Sequence, residues 1–412
     1  MTPVAELTDA PWLSNRVAKA ALAALAGAGH QGFFVGGCVR NGLLGQLVND
    51  LDIATDALPE QVMDLAKRAG LKAIGTGVAH GTVTVTNGHQ VVEVTTYRQD
   101  VATDGRRAVV RFSRDMAVDA ARRDFTMNAL YADGAGHVYD PLGGLGDLRA
   151  GRVRFIGDAA QRIAEDRLRI LRYFRFQAWY GDPQEGPQDE ALAACAEAAE
   201  GVEGLSKERL GAEMRKLLAA PDPAPATATM AQCGVLWRIL PGAAALALAP
   251  LVHLEGVYDV SPSWLRRMAA LGLEPGEACA ALRLSKAETR ALEARKRALA
   301  AGGTWPQQAY RFGAEAARDA ALIVQASLPA PPPVGLLDGL ERAEAQRFPL
   351  TADDVIPPLA PGRAVGRGLA SAEEAWVEAG FALSRDRLVE IALAAAARPE
   401  DPGPKDARPK ND

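Results

Sequence analysis

The chain has 412 residues, more than a single core holds, and its 48% hydrophobic and 24% charged content is that of a folded protein of two or more domains. A formal net charge of −5 excludes a surface coated in phosphate contacts, although RNA binding needs only a local basic face, for which Arg162 to Arg175, Lys207 to Lys216 and Arg283 to Arg297 are candidates. No run of eighteen apolar residues and no basic-then-apolar leader is seen, so no membrane partner and a cytoplasmic location are expected; Cys38, Cys195, Cys233 and Cys279 form no CxxC pair, which argues against a zinc or disulfide framework.

In chain order, Phe33-Phe34-Val35 is a short apolar strand, and Gly36-Gly37 after it lets backbone N–H groups come close to phosphate oxygens. Arg40 falls in the first turn of a predicted helix, where it can reach the same phosphates. Asp50 and Asp52 follow. In an extended segment they share a face while Leu51 points into the core, and two such oxygen ligands suit Mg²⁺; a bare DxD is otherwise a solvated turn. The runs Thr82 to Thr86 and Val91 to Thr95 read as strands. In the second, Glu93 points away from Val92 and Val94, either to join Asp50 and Asp52 or to stand as a half-exposed glutamate.

Near residue 155 the strand pattern gives way to Ala, Leu, Glu and Arg at helical spacing, broken by prolines at 221–225 and 330–333. One helix is expected over 159–180, with Ile163, Ile170, Leu171 and Phe174 on its apolar stripe and Arg162, Asp166, Arg169 and Tyr173 beside it. Asp166 and Arg169, three apart, would form an ordinary surface ion pair unless they serve a ligand. Arg398 to Asp412 is Pro-rich and charged without an apolar anchor, which predicts a disordered tail.

The sequences GGCVRNGLLG, NDLDIAT, RRDFTMNALY (122–131), DPLGGLGDL (140–148), EDRLRILRYFRF (165–176) and SKERLGAEMRKLL (206–218) together resemble the class II tRNA nucleotidyltransferase and bacterial poly(A) polymerase family of the DNA polymerase β superfamily. The motifs span residues 33–218, about half the chain, and one departs from the pattern: Asn41 stands where the family usually has Asp. The resemblance implies an α/β head with a nucleotidyltransferase-type sheet (1–155), an all-α neck (156–220), and an all-α body and tail that bind tRNA (221–397). It also implies nucleotidyl transfer from CTP or ATP to an RNA 3′-hydroxyl, with release of pyrophosphate and two Mg²⁺ ions held by Asp50 and Asp52, with Glu93 as the third catalytic acid.

By the same resemblance, Gly36, Gly37 and Arg40 hold phosphates, and Arg123, Asp124 and Asn128 of the RRD block hold the ribose; an isolated Arg-Arg-Asp is otherwise a surface ion-pair cluster. Asp166 and Arg169 would template the base, and Glu208, Arg209, Glu213 and Lys216 would brace the neck unless they form a plain charged helix face. The FxxxHV stretch usual in poly(A) polymerases is absent, since Gly75 to Val83 stands in its place. The Arg98 to Arg122 segment keeps nearly full length, so full CCA addition is expected, with poly(A) synthesis or a non-catalytic tRNA-binding relative as the alternatives. The C-terminal half would hold the tRNA acceptor and TΨC arms by reading duplex shape.

Overall fold

A computed structural model describes residues 1–397 apart from Thr8, Asp9, residues 104–107, Pro358 and Pro361, with nothing described of the side chains of Thr76 and residues 100–109. The expected tail at 398–412 and the loop residues Asp104 to Arg107 therefore lie outside the described residues. Contacts divide the chain into one unit of residues 1–252 with 260–285, and a second of residues 253–259 with 286 onward.

The first unit begins with β1 (Ala5–Glu6), a short helical turn (Pro11–Ser14), α1 (Arg16–Gly27), β2 (Gly32–Val35) and α2 (Gly37–Leu43). It continues through β3 (Asp52–Thr55), α3 (Pro59–Arg68), β4 (Lys72–Gly77), β5 (Thr82–Thr86) and β6 (Val91–Thr96). After the ribbon of β7 (Arg98–Thr103) and β8 (Ala108–Phe112) come α4 (Met116–Ala121), β9 (Tyr131–Ala132), β10 (His137–Tyr139) and α5 (Gly144–Arg149). The main sheet has the order β1-β10-β9-β2-β3-β6-β5-β4. Most neighbours are antiparallel, but β3 and β6 run parallel. That single parallel pairing puts the starts of β3 and β6 at the same end of the sheet.

Central position explains the composition of β3, whose Ile53, Ala54 and Thr55 are all buried because both faces are covered. In β6, Val92 and Val94 are buried while Val91 and Glu93 are exposed, the alternation of a strand with one wet face. The second glycine pair of the chain has a packing cause. A Cβ on Gly144 would stand 2.1 Å from the carbonyl oxygen of Thr126, so only glycine lets α5 lie against that turn.

Among the described residues everything after β10 is helical or irregular apart from an isolated bridge between Phe125 and Phe155. The neck helices are α6 (Ala159–Glu165), α7 (Leu168–Tyr180), α8 (Asp189–Glu197) and α9 (Lys207–Leu218). The single helix expected over 159–180 is two. Asp166 leaves the helix with φ −151° and ψ 107°, and its Oδ1 accepts from the Leu168 N–H at 3.0 Å, so the side chain that would have sat mid-helix instead caps α7. Tyr173 is also displaced from the expected polar face: it is fully buried and stacks on Phe155 at 5.4 Å.

In the second unit, helices Lys286–Ala300 and Ala314–Ala326 share the buried Arg295–Asp319 ion pair at 2.7 Å. Helices Arg363–Glu378 and Arg385–Ala396 close a cluster around Trp376, Val365 and Leu388. Gly362 stands immediately before the first of these two helices.

Candidate active site

Asp52 opens β3 and is registered against Glu93 of β6, so the two residues stand on adjacent strands at the spacing of a sheet, about 5 Å. The Glu93 N–H donates to the Leu51 carbonyl at 3.1 Å, which carries the pairing one residue past the strand. Leu51 is buried and Asp50 exposed, the alternation that brings Asp50 to the same side as Asp52. Asp50, Asp52 and Glu93 all line one open cleft of about 780 Å³. Burial, then the charge of Glu93, then that of Asp50, push the Asp52 carboxyl up to about 6, with Arg123 pulling the other way. Among the described residues none of the three carboxylates has an ion-pair partner, and no three acidic, His or Cys side chains already converge as a closed metal cage.

Arg123 lies on the opposite flank of Asp52. Gly36 leaves β2 with φ 73° and ψ −121°, a conformation other residues avoid, and a Cβ there would be 3.4 Å from Arg123 Nη1. The glycine turn thus backs onto the guanidinium. Arg123 is itself held by Asp119 Oδ2 at 2.9 Å and the Tyr131 hydroxyl at 3.3 Å. Burial raises the Asp119 carboxyl, but Arg123 and Arg122 outweigh it and hold it down at about 2.

Arg40, on α2, is 7% exposed and donates to Asn41 Oδ1 at 2.9 Å, Asn128 Oδ1 at 2.5 Å and the Tyr180 hydroxyl at 2.8 Å. Its guanidinium lies 4.2 Å from the Tyr180 ring centre, a cation–π contact with α7. Asn128 donates in turn to Asp124 Oδ1 at 2.8 Å, and Arg172 Nε donates to Asp124 Oδ2 at 2.7 Å. Burial disfavours the Asp124 charge, yet Arg172 and the hydrogen bond from Asn128 hold its carboxyl well below the usual carboxylate range. The head and α7 are therefore stitched by one chain of hydrogen bonds from Asn41 to Arg172. Asn41 also donates from its amide to the Leu47 carbonyl at 3.0 Å, a bond an aspartate could not make.

Asp166 and Arg169 do not pair with each other. Arg209 of α9 reaches Asp166 Oδ2 at 2.6 Å, whereas Arg169 donates to Glu165 at 2.5 Å, to the Arg162 carbonyl at 2.7 Å and to the Arg122 carbonyl at 3.2 Å. Of the four residues expected to brace the neck, Glu213 is buried and accepts from Arg175 Nε at 2.6 Å, and Arg209 holds Asp166. Glu208 is exposed and meets Arg283 at 3.6 Å, and Lys216 is exposed, its carbonyl accepting from Trp179 Nε1.

Residues 32–154 match the family model described as the poly A polymerase head domain, and residues 187–246 match a model described as a probable RNA and SrmB-binding site of polymerase A. The mitochondrial CCA tRNA nucleotidyltransferase 1 of Mus musculus is 34% identical over 376 residues, 87% of this chain and 86% of that protein. The chain belongs to the CCA tRNA nucleotidyltransferase family. A CCA-adding enzyme of Oceanobacillus iheyensis is 44% identical over 191 residues, 46% of each chain. The solved CCA-adding enzyme of Bacillus stearothermophilus in complex with CTP superposes with a TM-score of 0.71 at 29% identity, covering 92% of this chain and 96% of that one. The mixed sheet followed by helices is thus a nucleotidyltransferase-type head, followed along the chain by helical domains.

In this member of the CCA tRNA nucleotidyltransferase family, the sequence reading missed Asp119, Arg172 and Tyr180, which hold Arg123, Asp124 and Arg40 respectively. Asp119 left a signal: it is three and four residues before Arg122 and Arg123, the spacing of helical ion pairs. Arg172 and Tyr180 left none, because their partners are 48 and 140 residues away.

Proposed function

We propose that the protein adds CCA to the 3′ end of tRNA, taking nucleotides from CTP and ATP and releasing pyrophosphate. The observation that carries the reading is the open cleft lined by Asp50, Asp52 and Glu93, set against the Gly36 turn and Arg123. An acid pushed up by burial and by two neighbouring acids, with no ion-pair partner on any of the three among the described residues, fits a site that takes its positive charge from metal. Mg²⁺ needs only one or two protein carboxylates, since waters and phosphate oxygens complete its shell, so a closed cage is not required. Asp50 and Asp52 would hold a pair of such ions, with Glu93 as the third acid. Bound there, the ions lower the pKa of the attacking hydroxyl and offset charge on the departing pyrophosphate.

In the transfer the primer's 3′-hydroxyl gives up its proton to water, its oxygen bonds to the α-phosphorus, the bond from that phosphorus to the bridging oxygen breaks, and pyrophosphate leaves with the electron pair. The Gly36-Gly37 turn and Arg123 position the triphosphate. Arg40 shares this task through the orientation of α2. Asn128 and Arg123 present hydrogen-bonding groups to the ribose, and Asp124 sets both Asn128 and Arg172. Asp166 and Arg169 offer an acceptor and donors to the edges of cytosine and adenine, and Arg209 with Glu213 fixes the helices that carry them. Residues 1–155 then serve as the catalytic head, 156–220 as the neck with the base template, and 221–397 as the body and tail that hold the acceptor and TΨC arms.

Purified protein given Mg²⁺, tRNA lacking its 3′ CCA and labelled CTP or ATP should add two C and one A and stop, as read on a sequencing gel. Long adenylate tails on an unstructured RNA with ATP alone would move the reading to poly(A) synthesis, and binding without incorporation would make it a non-catalytic tRNA-binding protein. Asp166→Ala should relax discrimination against UTP by about tenfold, because a base with reversed donors and acceptors then leaves fewer groups unpaired. Unchanged nucleotide preference in single turnovers would remove the template role.

A further inference from the structure

Within the reading above, Asp52 divides the site. Arg123 and the glycine turn lie on one flank, and the cleft that holds Asp50 and Glu93 lies on the other, with neither Arg123 nor any neck residue in its lining. In-line displacement places the attacking hydroxyl and the leaving pyrophosphate on opposite sides of the reacting phosphorus. If the triphosphate occupies the Arg123 flank, the terminal nucleotide of the RNA must enter by the cleft.

One large aromatic side chain lines that cleft. Trp12, in the helical turn before α1, lines it together with Asn15, and Gln90 of the β5–β6 turn lines it beside Glu93. The indole is held from behind. It meets Phe34 edge-on at 4.8 Å between centroids, and a Cβ on Gly42 would stand 3.1 Å from it, so the ring sits against bare helix backbone. The same ring also borders a second open depression with Leu47, whose side is 87% exposed, and Val48 is common to both. No Lys or Arg lines either space, so neither is built for a phosphate. Gln90 Oε1 is buried and has no hydrogen-bond partner, a polar atom left for a donor.

We infer that Trp12 is the stacking platform for the 3′-terminal base of the RNA primer, with Gln90 as a hydrogen-bonding group for that nucleotide, so that its hydroxyl lies over Asp50, Asp52 and Glu93. A π-face is indifferent to which base it meets, which suits an enzyme whose primer ends in a different nucleotide after each addition. A hydrogen bond from a ribose hydroxyl would satisfy Gln90.

The test uses the full chain and a tRNA ending in 2-aminopurine, whose fluorescence is quenched on stacking. The parent should quench it. Trp12→Leu, which keeps apolar bulk against Phe34, should lose the quench and raise KM for tRNA about tenfold while KM for CTP stays within twofold, and Trp12→Phe should restore both. Gln90→Ala, which does not touch the Phe34 packing, should raise KM for tRNA severalfold with CTP unaffected, and it decides the matter if Trp12→Leu does not fold. Retained quenching, or equal damage to the CTP and tRNA constants, would overturn the inference. Failure of the parent to extend any tRNA would defeat the proposed function instead, and because quenching needs no turnover, the platform would still be judged.

Discussion

The two flanks of the first unit treat negative charge in opposite ways. At the end of the sheet where β3 and β6 begin, Asp50, Asp52 and Glu93 stand near one another beside an open cleft, and the repulsion is left in place. Across the head–α7 seam and in the neck, Asp119, Asp124, Glu165, Asp166 and Glu213 each face a guanidinium within hydrogen-bond reach. Acids that face arginines hold helices to the sheet. Acids left facing one another are costly to the apo fold and are kept for a ligand, which is why strained electrostatics marks a site where satisfied electrostatics marks a scaffold.

The largest effect that separates the two classes is a loss of activity without a loss of stability. Asp52→Ala should lower transfer by about 10³-fold or more while the melting temperature holds or rises, since removing one of three repelling charges relieves that end of the sheet. A variant that unfolded early would place Asp52 with the scaffold. The opposite signature is expected from Asp124→Ala. It strips the partner from Arg172 and leaves Asn128 unsupported, so unfolding in urea should show a loss of about 3 kcal/mol, with activity falling along with stability.

This division was half visible in the chain. The strand periods that place Glu93 opposite Val92 and Val94, and Asp50 and Asp52 on one side of Leu51, are local, and the structure has those residues so disposed. The switch from strands to helices near residue 155 is local too. What spacing could not give is the choice of partner. Asp166 and Arg169 sit three apart, yet Asp166 takes Arg209 and Arg169 takes Glu165, because Asp166 leaves the helix to cap α7 and the register that would have paired them is gone. Likewise the place of Arg40 in the first turn of α2 lets it reach phosphates, and nothing within forty residues of it hints at Tyr180, whose ring covers it.

Acid should dissolve the scaffold before any neutral-pH change does. The folded Asp119 carboxyl is held at about 2 against an ordinary 3.8, and Asp124 is also depressed, so the native state releases these protons more readily than the unfolded chain. Their stabilisation is complete above about pH 5 and is lost as pH falls through 4 towards 2. Asp119 alone accounts for about 2 kcal/mol of it. In an Asp52→Asn background, which removes the opposite contribution of the Asp52 carboxyl pushed up to about 6, denaturant midpoints measured from pH 7 to pH 3 should stay level and then drop, and Asp119→Asn should flatten the drop while lowering the plateau. A midpoint that rose on acidification would reverse the assignment of these acids.

The smallest effect is the sharpest check on what makes an acid part of the scaffold, because it compares two glutamates of one helix. Glu213 is buried on α9 with Arg175 at 2.6 Å, whereas Glu208, one turn and a half earlier, is exposed and meets Arg283 at 3.6 Å with that side chain also exposed. Water screens the second pair and each long side chain loses rotamer freedom by holding it, so Glu208→Ala should change stability by no more than about 0.5 kcal/mol. The same substitution at Glu213 leaves Arg175 without its acceptor in a half-dry setting and should cost several times as much. Both came from one sequence motif and carry the same charge, so equal losses in urea unfolding would mean that burial is not what separates bracing acids from surface ones, and the contrast between the cleft and the neck would then need another cause.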